Sequence, residues 1–202
     1  MATSNNIIVG KNASPVGVTP SIILENPRFA FNVGMAVRIA SCYGLKQVWF
    51  TGDRVRLDID AKKRLPREER IKGYRDVEMI NYDRPLEQFP EGTVPVAVEV
   101  RPNSERLQNF EHPEKAVYVF GPEDSSIHAG LLTYCHRFVV IPTFNGYCLN
   151  LATAIATVIW DRMVKLGEVP SEEVSFGQIG TYEDTRPEEI GLFDKRPGWP
   201  KK

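Results

Sequence analysis

The feature that most constrains this chain is an amphipathic segment, residues 147–163, which follows an apolar run and a polar turn. Apolar side chains recur along it at helical spacing, at Leu151, Ala154, Ile155, Val158 and Ile159. Residues 138–141, just before the turn, have the composition of a buried strand. The N-terminus of such a helix has free backbone N–H groups. Where it follows a strand and a turn, it is a common position for a bound ligand. The simpler alternative is that Asn150 only caps the helix.

The remaining elements indicate an alternation of strands and helices. Strands are predicted over residues 21–24, 47–51, 77–80, 94–100 and 116–120, and helices over 33–43 and 125–134. Such an alternation predicts an α/β fold with a mostly parallel sheet flanked by helices. A dinucleotide-binding fold is disfavoured, because no G-x-G-x-x-G motif follows the first strand.

Composition restricts the possible classes of protein. The chain has 202 residues, 42% of them hydrophobic, which suits one domain with a sizeable core. We predict an N-terminal arm at 1–19, a domain at 20–167 and an appendage at 168–202. No apolar run is long enough to span a membrane, and no signal peptide is evident, so we expect a cytoplasmic protein. The three cysteines and three histidines lack ligand spacing, so we expect no metal.

A basic segment stands out in a chain whose formal net charge is −1. Residues 54–75 carry nine basic and four acidic side chains, an excess of +5. One interpretation is a surface for RNA phosphates, with Lys62, Lys63 and Arg64 as the strongest candidates. The alternative is a solvated helix laced with salt bridges.

Three loops that each follow a predicted strand carry polar motifs. The first reads Asn32-x-Gly34-x-x-x-Arg38. The second is Gly121-Pro122-Glu123, and the third is Ile141-Pro142 followed by Cys148-Leu149-Asn150. Together and in this order they resemble the SpoU (TrmH-type) branch of the SPOUT RNA methyltransferases, over roughly residues 21–166.

The resemblance implies a specific fold and activity. Members of that family have a parallel sheet whose C-terminal part forms a trefoil knot, which composition could not indicate. They bind S-adenosylmethionine, use no metal, and are usually homodimers with the active site near the subunit interface. They methylate the 2′-hydroxyl of a ribose in tRNA or rRNA. We therefore expect an RNA ribose 2′-O-methyltransferase with S-adenosylmethionine as cofactor.

The resemblance also assigns roles to residues of this chain. The expected catalytic residues match polar positions of the three motifs: Asn32, Arg38, Glu123 and Asn150. The expected cofactor-binding residues match positions whose backbone holds the cofactor in the family: Val98, Gly121, Ile141, Cys148 and Leu149. Because a guanidinium is effectively always protonated, Arg38 is expected to clamp phosphate and orient the hydroxyl, with the proton acceptor unassigned. An ion pair between Arg38 and Glu123 is the structural alternative.

One position departs from the family pattern. The third motif commonly begins with serine, whereas this chain has Cys148. A thiol is nearly the same size but a weaker hydrogen-bonding group, so methyl transfer could be slower. This keeps open a second interpretation, an RNA-binding SPOUT module with weak or lost activity. A third, an unrelated nucleotide-binding α/β protein, predicts neither a knot nor affinity for S-adenosylmethionine.

Overall fold

The computed structural model of the protein describes residues 7–9, 15–55 and 77–170. Its strands are β1 Ile7–Val9, β2 Ser21–Leu24, β3 Gln47–Phe50, β4 Glu78–Asn81, β5 Val94–Val98, β6 Glu105–Arg106, β7 Ala116–Phe120 and β8 Arg137–Val140. Its α-helices are α1 Ala30–Cys42, α2 Ala129–Leu132 and α3 Leu151–Leu166. Short 3-10 helices span Pro85–Gln88 and Leu107–Asn109.

The strands form one sheet in the order β1-β4-β3-β2-β7-β5-β8-β6. Each neighbouring pair within this described sheet is parallel. The predicted α/β fold with a parallel sheet is therefore confirmed. Strands β2 and β3 are neighbours joined through α1, the β–α–β unit that the sequence predicts.

The centre of the sheet is built from short, mostly apolar runs. The β7 side chains and those of β2 are all buried, as expected for strands covered on both faces. From β2 the chain builds outward to β3 and β4, and after β4 it returns to form β5 and β7 on the other side. The junction of β2 and β7 is thus a topological switch point, where α/β proteins commonly bind ligands beyond the strand ends.

Different helices cover the two faces of the sheet. One core cluster joins α1 and α3 to the sheet through residues such as Val37, Tyr118 and Ile155. The opposite cluster joins the 3-10 helix Pro85–Gln88 and α2 to side chains such as Trp49. Among the described residues, no helix has the length and apolar character needed to cross a membrane.

Two predicted helices differ from the observed ones at their ends. Helix α1 starts three residues earlier than predicted and ends before Gly44, whose φ of +77° suits glycine after a helix. The predicted helix at 125–134 contracts to the four residues of α2. Helix α3 starts at Leu151, directly after Asn150, and the preceding residues form an exposed turn around Gly146 (φ +72°).

Other sequence predictions lie beyond what the structure describes. Lys62, Lys63 and Arg64 fall outside the described residues. The boundaries at 19/20 and 167/168 stay predictions, although contacts divide the chain into units Met1–Gly167 and Glu168–Lys202. The trefoil knot also stays a prediction, since strand order alone does not define how a chain is threaded.

A buried histidine links α3 to the sheet below it. His112 Nδ1 lies 2.7 Å from the Tyr118 hydroxyl and Nε2 lies 2.8 Å from Asp161 Oδ2. Lys165 Nζ is 2.7 Å from the same carboxylate oxygen. Neutral imidazole satisfies both contacts, donating from Nε2 to the carboxylate and accepting from the hydroxyl at Nδ1. Burial lowers the pKa of His112, and the opposing attraction of Asp161 does not restore it.

This lowered pKa predicts a pH dependence of folding. A histidine kept neutral when folded stabilises the protein above its unfolded pKa of about 6.5, and this contribution is lost as pH falls through the folded value. We expect the free energy of unfolding in urea to decrease between pH 7.5 and 5.5. His112→Gln should reduce that decrease, whereas His136→Gln, at an exposed position, should not. An unaltered slope in the His112 variant would contradict the assignment.

Candidate functional site

A cavity lies beyond the C-terminal ends of three neighbouring strands, β5, β7 and β8. Its volume is about 360 Å³, within the range of small-molecule sites. The lining residues come from these strand ends, the loops after them and the first turn of α3: Val98, Glu99, Val100, Phe120, Gly121, Pro122, Glu123, Ser125, Ser126, Val140, Ile141, Cys148, Leu149, Leu151 and Ala154. The walls are therefore largely aliphatic, with carboxylates and hydroxyls at a few points.

The residues predicted from the sequence to bind a cofactor all line this cavity. They are Val98, Gly121, Ile141, Cys148 and Leu149. Their convergence follows from the parallel sheet, which gathers the loops after β5, β7 and β8 at one edge. Gly121 suits a close approach within the loop after β7, since a Cβ atom there would lie 3.0 Å from the Ile127 backbone nitrogen. A larger residue at this position would have to displace that backbone by a few tenths of an ångström.

Glu123, also in the cavity wall, organises the polar side of the site. Its Oε2 accepts a hydrogen bond of 2.6 Å from the Arg28 backbone N–H. Its Oε1 accepts from the Phe29 N–H at 3.3 Å and from the Asn32 amide at 2.6 Å. Helix α1 has neither a side-chain cap from Phe29 nor an acidic residue in its first turn. The Glu123 carboxylate supplies the negative charge that a helix N-terminus favours.

These contacts determine the charge of Glu123. Partial burial acts to raise the pKa of its carboxyl group, but the hydrogen bonds from Asn32, Arg28 and Phe29 outweigh burial. The pKa of Glu123 therefore lies below its ordinary value, and the group is ionised at neutral pH. With three donors already bound, this carboxylate is suited to holding the loops rather than to accepting a proton.

Asn150 connects the third motif to the first. Its side-chain oxygen accepts from the Ala152 N–H at 2.9 Å, which caps α3. Its amide nitrogen lies 3.4 Å from Asn32 Oδ1, a long hydrogen bond. The simpler expectation, that Asn150 caps its helix, is thus met, and the same side chain also closes a chain Asn150–Asn32–Glu123. Three of the four predicted catalytic residues therefore form one polar network.

Arg38, the fourth, lies away from this network. It is exposed on α1 and does not line the cavity. Six residues separate it from Asn32, which is about 9 Å along a helix and about 240° around its axis. Among the described residues Arg38 and Glu123 form no ion pair, and the Glu123 oxygens accept instead from two backbone N–H groups and Asn32. Arg38 is exposed on α1, seven residues after the exposed Phe31.

Two further carboxylates hold the loop after β7, and the sequence analysis did not select them. Glu99, which lines the cavity, accepts from the Ile127 N–H at 2.9 Å. Glu25 accepts from the next N–H, that of His128, at 2.7 Å, and burial raises its pKa. Each of these glutamates directly follows the last residue of a strand, β5 and β2 respectively. Their position directly after a strand is the sequence feature that could have identified them.

Comparison with known proteins gives a consistent result. The model of the SpoU rRNA Methylase family matches residues 20–160. No curated protein sequence matches the chain. A solved A. aeolicus TrmH/SpoU tRNA modifying enzyme is 18% identical, with 75% of this chain and 81% of that chain covered and a TM-score of 0.60.

Two other solved structures have the same fold. One, from work on the 2-OH methylation of C/U34 on tRNA, is 22% identical, covering 73% of this chain and 90% of its own, with a TM-score of 0.60. The other is the SpoU methyltransferase AviRb from Streptomyces viridochromogenes in complex with AdoMet. It is 16% identical, covering 77% of this chain and 61% of its own, also with a TM-score of 0.60.

The Glu123 network predicts a measurable loss of stability on substitution. Glu123→Gln keeps the size but leaves a single acceptor oxygen and introduces an N–H₂ group that faces existing donors. We expect the free energy of unfolding to decrease by about 1.5–3 kcal/mol, the range for hydrogen bonds to a charged group. Urea denaturation at pH 7 measures this, with the exposed Glu91→Gln as control. Equal stability of the two variants would contradict the role given to Glu123.

Proposed function

Because the chain belongs to the SpoU rRNA Methylase family, we propose that it methylates the 2′-hydroxyl of a ribose in tRNA or rRNA, with S-adenosylmethionine as methyl donor. The observation that carries this proposal is that the second and third motifs line one cavity, and that Asn32 of the first motif is hydrogen-bonded to both of them through Glu123 and Asn150. The 2′-hydroxyl and the class of RNA rest on the motif resemblance. The structural neighbour associated with 2-OH methylation of tRNA supports them.

The residues around the cavity fit the proposed cofactor. Its aliphatic walls, including Val98, Ile141 and Leu149, suit the adenine and ribose faces of a nucleoside. Glu99 and Glu123 add negative charge to the lining, which favours a ligand carrying a sulfonium and an ammonium group. When bound, S-adenosylmethionine supplies an electrophilic methyl group.

The protein then has two tasks, alignment and proton removal. The 2′-oxygen must approach the methyl carbon in line with the C–S bond that breaks, and the hydroxyl proton must leave. Holding both reactants in this geometry accounts for much of the rate in such reactions. We assign alignment to the loops fixed by the Asn150–Asn32–Glu123 network and to Arg38. Because Glu123 already accepts three hydrogen bonds and Arg38 stays protonated, the proton acceptor is left unassigned.

In a homodimer, Arg38 could reach the cavity of the partner subunit. Helix α1 exposes Phe31 (52%) and helix α3 exposes Trp160 (47%), and the Trp160 ring lies 6.0 Å from that of Tyr43 at the end of α1. Aromatic side chains exposed on two packed helices are typical of an interface. Arg38 follows Phe31 by seven residues and shares its stripe of the helix. We therefore propose a dimer through α1 and α3 that carries Arg38 to the partner subunit's cavity.

The main competing function is an RNA-binding module without methyl transfer. Incubation of the protein with total RNA and S-adenosylmethionine labelled in the methyl group separates the two. Label recovered on ribose 2′-oxygens supports the enzyme, whereas RNA retained without label supports the binding module. Lys62, Lys63 and Arg64 remain proposed RNA contacts on the basis of their charge. Cytoplasmic location likewise remains a prediction.

Arg38→Ala should abolish methyl transfer and leave cofactor affinity within a few-fold of wild type. The physical reason is that Arg38 does not line the cavity, so its loss should affect the RNA and not the cofactor. Transfer rates, and calorimetry with S-adenosylhomocysteine, measure the two effects. The exposed Arg106→Ala on β6 serves as the matched control. A large loss of S-adenosylhomocysteine binding in the Arg38 variant would refute this division.

Cys148→Ser should leave methyl transfer equal to wild type or faster. Cys148 is exposed and lines the cavity, and serine restores the hydroxyl common in the family at nearly constant volume. Initial rates at saturating cofactor provide the test, and Cys42→Ser, also exposed but outside the cavity, is the control. A folded Cys148 variant slower by more than about tenfold, or 1.4 kcal/mol in activation free energy, would indicate a site built around the thiol.

A further inference from the structure

A cluster of two arginines and one aspartate lies beside the cavity and is absent from the three motifs. Asp124 accepts two hydrogen bonds from Arg54, at 3.0 Å from Nη1 to Oδ1 and 2.7 Å from Nη2 to Oδ2. Arg28 Nη1 lies 3.5 Å from the same Oδ2. The three residues come from the loops after β2, β3 and β7. We call them the arginine cluster.

The cluster has a surplus of positive charge. Two guanidinium groups share a single carboxylate, which leaves a net charge of +1. Hydrogen bonds from Arg54 hold the pKa of Asp124 below its ordinary value, so the aspartate is ionised at neutral pH. Each guanidinium carries five N–H donors, and the contacts with Asp124 and the Asn26 carbonyl use only some of them. Arg28 is 54% exposed and Arg54 31% exposed, so these groups are open to a ligand.

The arginine cluster directly adjoins Glu123, in the loop after β7. Asp124 is the residue after Glu123, which lines the cavity. Arg28 donates its backbone N–H to Glu123 while its side chain reaches Asp124. Asn26, two residues earlier, has a φ of +38° and its carbonyl accepts from Arg54 Nη1 at 3.4 Å. Asparagine tolerates this left-handed conformation better than most residues, and the turn brings both arginines to one side.

A purely structural role explains the cluster poorly. Ion pairs exposed to solvent contribute little to stability. The loops after β2 and β7 are already joined by three hydrogen bonds to Glu123. Planar guanidinium groups with free donors match the oxygens of a phosphodiester, which they bind bidentately. A phosphate would take the place at Arg28 and Arg54 that Asp124 now occupies in part.

From this geometry we propose that Arg28 and Arg54 bind a backbone phosphate of the RNA substrate at the rim of the cavity, with Asp124 keeping both side chains oriented until RNA arrives. This rests on the proposed function, since it names where that substrate is held. The two arginines act as positioning residues: they fix the RNA so that one ribose reaches the cavity. They touch neither the methyl group nor the 2′-oxygen.

The test compares variants that break the same ion pairs by removing either the two cations or the anion. RNA affinity is measured by fluorescence anisotropy with bulk tRNA and with rRNA fragments over a range of salt concentrations. For Arg28→Ala/Arg54→Ala we expect affinity to fall about tenfold, with the slope of log K against log salt smaller by roughly 0.7–0.9 for the lost phosphate contact. Asp124→Asn keeps both cations, so it should bind RNA as tightly as wild type or more tightly.

If the arginine cluster only stabilises the loops, the double variant and Asp124→Asn should show the same change in RNA affinity. Equal losses of affinity in both, or no change in the double variant, would overturn the proposal. Arg84→Ala is the matched control, because Arg84 is an exposed arginine paired with Glu87 at 3.2 Å and does not line the cavity. Arg28→Ala alone, at the more exposed position, provides the same comparison if the double variant is unstable.

Two readouts separate this proposal from the proposed function. S-Adenosylhomocysteine affinity should be unchanged in every variant, and the KM for RNA should rise in the double variant with little change in kcat. Wild-type protein that methylates RNA while the double variant keeps its KM overturns the phosphate site alone. Wild-type protein that neither binds nor methylates RNA overturns both.

Discussion

The hydrogen bonds to the Glu123 carboxylate are the interaction on which the site depends. Its two oxygens bind the start of α1 through Arg28 and Phe29, and Asn32 through its amide. Asn32 in turn meets Asn150, which caps α3. One ionised side chain thus links three motifs that lie far apart in sequence. The second and third motifs line a largely aliphatic cavity, whose apolar walls alone would not specify such an arrangement.

The parallel sheet brings these loops together. Consecutive residues within β2 and β7 are buried on both faces, so the strands have little freedom of register, and their C-terminal ends coincide at Leu24 and Phe120. Every loop that follows a central strand then emerges at the same edge. Glu25, Glu99 and Glu123 lie at that edge and bind backbone N–H groups there. In regular secondary structure these N–H groups would bind backbone carbonyls. Here they bind instead the carboxylates of residues that follow the strands.

The success of the sequence analysis varied with the kind of signal. Strands β2 and β7 were predicted with their observed bounds, because continuous apolar runs between turn residues admit few alternatives. The helix predicted at 125–134 was too long, because Glu99 and Glu25 bind the Ile127 and His128 N–H groups. The motif resemblance selected Asn32, Glu123 and Asn150, which meet in space. It could not indicate Arg28 or Asp124, since their pairing depends on the Asn26 turn and on the neighbouring positions of β2, β3 and β7.

Glu123 and Asp124 are adjacent carboxylates with different roles, because their hydrogen-bond partners differ. The partners of Glu123 are mostly backbone N–H groups and a buried amide. Displacing them would uncap α1, so these contacts must persist while ligands come and go. The partners of Asp124 are guanidinium groups on flexible, partly exposed side chains. Those groups can exchange one anion for another without any change in the backbone. A loop carrying both residues can therefore hold the site rigid through the first and still offer a replaceable anion contact through the second.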